Sequence, residues 1–383
     1  MPPDAIPIAD IRRALVIMLR HHGDTLLASP VCTVLARRGI AVDALVYADS
    51  RAMLELHPGI QAVHVIDRAW RSASPFGRLA REWALARALR ARGYDLVVHL
   101  GPEPRGAWLA RWTRARYRVA PAARRDRYWL RSFTHLYPTP ANPGRHRVER
   151  NLDALRRIGL QPDADERRLV LVPGETAQER VQALLAEHGL GDGPHRQRGF
   201  VHLHPASRWR FKCWTVAGHA ELIERLAELG WAVVLTAAPD PVELAMVEEI
   251  ARRSRAPVIS LAGQLGLKEL AALSTRAALF VGVDSAPMHI AAAVGTPVVA
   301  LFGPSGDLEW GPWGVPHRVV ASRTHSCRPC GLDGCGGGKI SECLVSLSAE
   351  SVTHAALSLL AGLSPPGASA HVAEPLTRVA GSS

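Results

Sequence analysis

The sequence predicts an α/β chain made of two successive parallel-sheet units that face each other across a cleft. Three observations carry this. Short apolar runs alternate with helical patterns in both halves of the chain. The alternation lapses in the middle and resumes cleanly after Gly199, as expected where one unit gives way to another. Finally, 383 residues of which 48% are hydrophobic suffice for two sizeable cores.

The elements follow in order. ALVIML, Ala14 to Leu19, reads as the first strand, and RHHGD leads from it into a helical run, TLLASPVCTVLARRG, that ends at Gly39. VDALVY and AVHVI read as further strands, and a helix rich in Arg, Ala and Leu, Leu79 to Ala91, precedes YDLVVHL. From Gly101 to Arg150 the pattern weakens into Trp-, Arg- and Pro-rich sequence. These signals assign residues 1–165 to the first unit, and the polar, glycine-containing stretches Gln161 to Glu166 and Gly191 to Gly199 mark 166–199 as a connection. Residues 200–345 form the second unit, with strand FVHLH, a helix from about Val216 to Leu229, strand WAVVLT, a helix from about Pro241 to Arg253, VISLAG and the helix LKELAALS. A terminal helix occupies 346–362, and the Pro-, Gly-, Ser- and Ala-rich tail, 363–383, is expected to be disordered.

The most informative stretch is VGVDSAPMHIAAAVGTPVVALFGPS, Val281 to Ser305. Ala278 to Val283 is an apolar run suited to a strand covered on both faces, which places Asp284 at a carboxyl-terminal sheet edge. Ser285 fits an N-cap, Pro287 the first helical turn and Gly295 a C′ position, and Pro297 to Gly303 is the next strand. The result is a tight βαβ unit whose helix start turns free N–H groups toward the crevice, where they attract an anion such as phosphate.

A net charge of +11 calls for an anionic partner: nucleic acid, phosphorylated glycan or membrane surface. Only Lys212, Lys268 and Lys339 are lysines, so 43 of the 46 basic residues are arginine. No nucleic-acid motif accompanies this charge, and no nucleic acid is expected. No run of 18 apolar residues and no signal peptide is seen, so a cytoplasmic protein is expected, with its six cysteines as thiols or metal ligands.

LRHHGD, HPASRWRFKCW at 204–214 and GVDSAPMHIAAAVGTPVVALFGP at 282–304 together resemble the heptosyltransferases of glycosyltransferase family nine, which build the inner core of lipopolysaccharide. With CRPCGLDGCGGGKISECL the chain is most similar to the heptosyltransferase III branch. The resemblance implies a GT-B architecture, two Rossmann-like doubly wound domains facing a central cleft. It also implies an ADP-heptose donor in the C-terminal domain, a phosphorylated lipopolysaccharide core acceptor in the N-terminal domain, and inversion at the anomeric carbon.

On the donor side, Asp284, Ser285, Met288 and His289 stand where amides and side chains would meet a diphosphate, and Ala286 occupies a position that is glycine in many relatives. Lys212 follows the strand ending at His204, where a compact ammonium would neutralise a departing ADP, unless it is a surface lysine. Arg208 and Arg210 are further phosphate candidates, and spacing does not say which of the three cations faces inward. Trp209 and Trp214 flank Lys212, as cleft wall or as core.

Asp24 is the leading general base and matches the acid of the family's Gly-Asp motif; alternatively it caps a helix from Thr25 to Arg37. His21, His22 and Gly23 are assigned to the acceptor side, the two histidines also as alternative bases. The D-x-D at Asp163 to Asp165 lies in the connection rather than at a strand end and reads as solvated linker. Cys327, Cys330, Cys335 and Cys343 begin with a C-x2-C, but their later spacing suits a thiol-rich loop better than a zinc site, so no metal and no cofactor is expected. Cys32 and Cys213 read as single buried or semi-buried thiols. The segment Trp108 to Arg131 interleaves arginine with aromatics, as a peripheral contact with the inner membrane surface or as an arginine-biased helix with core tryptophans.

Overall fold

A computed structural model describes residues 5–72, 74–139, 144–190 and 199–361. The expected disordered tail lies outside the described residues. Twelve strands are described: β1 (Arg13–Met18), β2 (Ala41–Tyr47), β3 (Ile60–Ile66), β4 (Leu96–His99), β5 (Tyr117–Pro121), β6 (His135–Tyr137), β7 (Phe200–His204), β8 (Ala232–Leu235), β9 (Ile259–Ser260), β10 (Leu279–Val283), β11 (Val298–Phe302) and β12 (His317–Ala321). They form two six-stranded sheets in the orders β3-β2-β1-β4-β5-β6 and β12-β11-β10-β7-β8-β9. Read from its first strand, each sheet runs 3-2-1-4-5-6, the doubly wound order. Every pairing is parallel, for example Ala14 with Val42 and with Leu96, and Phe280 with Val298 and His202.

Parallel strands buried on both faces are mainly apolar: β10 and β11 are so throughout, β1 and β4 but for Arg13 and His99 at their ends, and β7 carries two buried histidines, His202 and His204, bonded to Ser274 and Thr236. Helices Ser29–Arg37 and Arg147–Arg156 cover one face of the first sheet. The other face packs beneath helices Pro75–Ala91, Pro104–Thr113 and Arg127–Ser132. In the second unit, Val216–Glu228 and Ala349–Leu360 bury Leu222, Ile223, Val352 and Ala356 against β7 and β10.

Several expectations change. The single helix expected over Thr25 to Arg37 is two, His22–Leu26 and Ser29–Arg37. Pro30 explains the break, because it has no N–H to give the carbonyl four residues back and its ring crowds that carbonyl. The helix expected at Leu79 begins at Pro75, where the Ser74 hydroxyl accepts from Gly77 N. The weak stretch from Gly101 to Arg150 holds β5 and β6, and Trp108 to Arg131 is helix, strand and helix rather than one helix. The connection contains helix Glu175–Glu187, whose Ala177, Val181 and Leu185 pack with Phe200 and Leu273 of the second unit. The Asp163 to Asp165 stretch is likewise tied down: Asp165 pairs with Arg37, and the neighbouring Glu166 with Arg38.

The two units touch directly. Leu26 and Met53 of the first share an apolar cluster with Leu171, Leu270, Ala271 and Ile290. Lys268 Nζ, in helix Leu267–Arg276, donates to the carbonyls of Glu55 (2.6 Å) and Val172 (2.5 Å). His146 stacks on Trp313 at 4.5 Å and meets the Gly311 carbonyl at 2.9 Å.

One acid lies inside a strand of the first core. Asp43 of β2 is fully buried and accepts from Arg92 Nε (2.7 Å), Arg92 Nη2 (3.0 Å) and the Tyr94 hydroxyl (2.7 Å). Burial alone would raise its carboxyl, but hydrogen bonds from His64, Arg92 and Tyr94 outweigh this and hold it well below the usual carboxylate range. A depressed folded value gives stability that is fully present above the unfolded value, about 3.9, and lost as pH falls below it. Asp43→Asn should cost about 1–3 kcal/mol at neutral pH. The gap to the wild type should narrow as pH drops below about 4. Thermal melts of both proteins across pH measure this, and a gap that stays constant into acid would refute the linkage.

Candidate active site

In a doubly wound sheet the crevice lies at the carboxyl edge, where strand order reverses. Here the reversals fall between β1 and β4 and between β7 and β10. The residues following β1, β7 and β10 line one cavity of about 1550 Å³ between the two units. A pocket for one small ligand spans roughly 300–1000 Å³, so this one has room for a nucleotide-sugar and part of a second substrate.

On the second unit's wall, Asp284 ends β10 and Lys212 lies in the short turn Arg210–Lys212 after β7. Lys212 Nζ donates to Asp284 Oδ2 at 2.5 Å, and both side chains are largely buried. Lys212 is therefore an inward-facing cation rather than a surface lysine. Arg208 and Arg210 are exposed and also line the cavity. Trp209 is 48% exposed at the cavity wall, whereas Trp214 is 3% exposed, donates Nε1 to the Leu347 carbonyl and packs on Gly218.

Helix Ala286–Ala293 begins as expected, with Ser285 at the N-cap position, Pro287 in the first turn and Gly295 at φ +86° after its end. The expected cap itself is absent, because the Ser285 hydroxyl turns back to the Val283 carbonyl (3.2 Å). No side chain therefore caps the helix start, which leaves it open to an anion at the cavity. Ser285, Ala286, Pro287 and His289 line that cavity. Met288 does not: its fully buried side chain packs with Phe280, Ala291 and Phe302 on the core side, and its N–H donates to the Ser285 carbonyl (3.2 Å). His289 is buried, with Nδ1 unpartnered, and burial pushes it down to about 4, so the ring is neutral.

The first unit's wall carries Arg20, His21, His22, Gly23 and Asp24. His21 is the N-cap residue of His22–Leu26, so Asp24 sits in the third position of the helix and is not its cap. Asp24 is 8% exposed; Oδ1 lies 3.3 Å from Arg20 Nε and makes no hydrogen bond. Burial lowers both His21 and His22, and His22 Nδ1 is 3.1 Å from Ser50 Oγ. Gly23 has a packing reason: a Cβ there would lie 3.1 Å from His289 Cδ2 and 3.9 Å from Ala286 Cα. The two units approach through that contact.

The sequence reading passed over other charged groups here. Glu103, just past β4, is raised by burial, and its Oε2 is buried without a partner. Its place after a strand at the reversal point was the available signal. Glu243, in helix Pro241–Arg253, lines the cavity; burial raises it, and its Oε2 accepts from Ala238 N (3.0 Å). Burial also raises the Cys343 thiol in the cysteine loop. Among the described residues no group of three or more His, Cys, Asp or Glu side chains is arranged to hold a metal ion. None of the described helices is long and apolar enough to cross a membrane.

A family model described as glycosyltransferase family 9 (heptosyltransferase) matches residues 82–340. Lipopolysaccharide heptosyltransferase 3 of Escherichia coli is 37% identical over 300 residues, which cover 77% of this chain and 84% of that protein. The glycosyltransferase family 9 structure from Veillonella parvula aligns with a TM-score of 0.79 at 24% identity, over 94% of this chain and 99% of its own. The E. coli ADP-heptose lipopolysaccharide heptosyltransferase II aligns at 0.71 and 21%, over 91% and 98%. At such identities the solved structures speak for the fold, two facing doubly wound domains of the GT-B kind. The matched model and the extent of the E. coli relationship show that this chain, an enzyme of sugar transfer, belongs to glycosyltransferase family 9.

Proposed function

We propose that the chain transfers heptose from ADP-heptose to a hydroxyl of a phosphorylated lipopolysaccharide inner core, with inversion, on the cytoplasmic side. The observation that carries this is the pairing of two unlike walls in one cavity. Asp24 is a sparsely hydrogen-bonded carboxylate on one wall, and Lys212 with the uncapped start of Ala286–Ala293 forms a cationic corner on the other. The relatives' names supply the donor and the glycan.

In this mechanism the acceptor oxygen attacks the anomeric carbon from the face opposite the diphosphate, and its proton passes to Asp24. The bond from the anomeric carbon to the phosphate oxygen breaks, and ADP leaves with the electron pair. Charge grows on that oxygen as the bond stretches, and there Lys212 and the helix N–H groups count most. Asp284 holds the Lys212 ammonium in place. Arg208 and Arg210 meet the diphosphate from the open side, and His21 and His22, uncharged at neutral pH, border the acceptor.

A panel of ADP- and UDP-sugars tests the donor, read as nucleoside diphosphate released on extracted core glycolipid. ADP-heptose should turn over; turnover of a UDP-sugar in its place would overturn the assignment. Asp24→Asn keeps the side chain's size and removes the proton acceptor, so kcat should fall by ~10²- to 10⁴-fold with ADP affinity nearly unchanged. Calorimetric titration of ADP on the same preparation separates the two, and an undiminished kcat would move the base to His21 or His22.

Lys212→Ala should lower turnover by ~10²- to 10³-fold and Lys212→Arg should recover part of it, since a planar fork cannot sit where a compact ammonium sat. The alanine variant also leaves Asp284 buried without its counter-charge. Adding Asp284→Asn should therefore restore melting temperature without restoring turnover. Recovery of both would make Lys212 a structural residue only.

A further inference from the structure

The three helices over the outer face of the first sheet carry an aromatic and arginine surface that the active site does not use. Of the two alternatives for Trp108 to Arg131, the tryptophans follow the core one: Trp129 is 1% exposed and donates Nε1 to the Pro121 carbonyl, and Trp108 and Trp112 are half-buried. The exposed apolar groups lie instead on helix Pro75–Ala91. Phe76 is 85% exposed, Leu79 56% and Trp83 41%, at spacings of three and four that put them on one side. Only Ala86 and Leu89, near the far end, are buried, so the first turns project from the domain.

The surface continues across the neighbouring helices. Trp83 meets Trp112 edge-on at 4.6 Å, and Arg111 lies 5.7 Å over the Tyr128 ring. Tyr128 and Leu130, on helix Arg127–Ser132, are 44% and 49% exposed. Arg71 just before the helix and Arg78, Arg81 and Arg87 on it are all exposed, and among the described residues none has an ion-pair partner; Arg87 shares the side of Phe76 and Trp83, one turn further on, while Arg78 and Arg81 stand on other sides of the helix. Glu82, the one acid of the helix, is taken up by Arg105.

We infer that this face docks on an anionic phospholipid bilayer. Bulky apolar groups and unpaired arginines on one projecting helix suit a headgroup boundary, where rings enter the acyl edge and the long guanidinium side chains reach phosphates from the flanks. A second copy of the chain fits poorly, because it would bring two arginine-rich faces together. Position argues the same way. The helix follows β3, so its exposed first turns stand at the carboxyl edge of the first sheet, the edge that also carries Asp24. Docking there holds the cavity's acceptor wall toward the lipid.

Co-sedimentation of the full chain tests this without reference to catalysis. The probes are vesicles of phosphatidylcholine alone and of phosphatidylcholine mixed with phosphatidylglycerol. Binding should need the anionic lipid and weaken as salt rises. Phe76→Ser with Leu79→Ser should reduce partitioning ~10-fold or more, and Arg78, Arg81 and Arg87 all changed to Gln ~100-fold, at about fivefold per charge. Both variants should melt and bind ADP like the wild type. Equal pelleting with neutral vesicles, or no change in either variant, would overturn the proposal. So would a dimeric mass lost in the serine variant, which would mean a second copy, or a short oligonucleotide bound in place of vesicles.

Discussion

The reversal of strand order in the middle of each sheet is the constraint on which the rest depends. On either side of it the connecting helices leave toward opposite faces, so no helix roofs the gap and the chain ends there are free to meet a ligand. Asp24 and Glu103 follow the two strands at the first reversal, and Lys212 and Asp284 follow those at the second. Their sequence separations are large, and only the crossovers bring them together. The apolar character of β1, β4, β7 and β10 is thus a condition of function as well as of stability, since it fixes these strands at the centre of their sheets.

How legible this was depended on how buried an element is and how regular its signals are. β10, the following helix and β11 were readable because both strands are apolar throughout and Pro287 and Gly295 mark the helix ends. β5, β6 and β12 were not recognised: YRVAP and HLY are short, polar-flanked edge or near-edge strands, and HRVVA is half exposed. Helix Glu175–Glu187 was hidden in a region that polar composition assigned to a connection; its buried stripe is only Ala177, Val181 and Leu185.

At the site, Asp284 and Lys212 could be placed on a strand edge and a loop, but not seen to pair across 72 residues. Met288 shows the limit of motif reading. A helix start presents successive residues in different directions, so while Ala286 and His289 look into the cavity, Met288 between them looks into the core. Ser285 shows another. Its residue type and position fit a cap, yet the hydroxyl donates to the Val283 carbonyl and accepts from no N–H of the helix start, an outcome that local geometry decides.

Lys268 bears on how the two domains hold together. Its ammonium donates to one carbonyl in the first domain and one in the connection, with no carboxylate in the contact. Water offers an ammonium the same kind of acceptor, so each bond can be exchanged for hydration at little net cost. The apolar cluster of Leu26, Met53, Leu270 and Ile290 has no such exchange, because its separation exposes hydrocarbon. The interface thus has a cohesive part and an indifferent part. A hinge that pivots about the first while shedding the second would open and close the cavity without breaking the contact that keeps the domains in register.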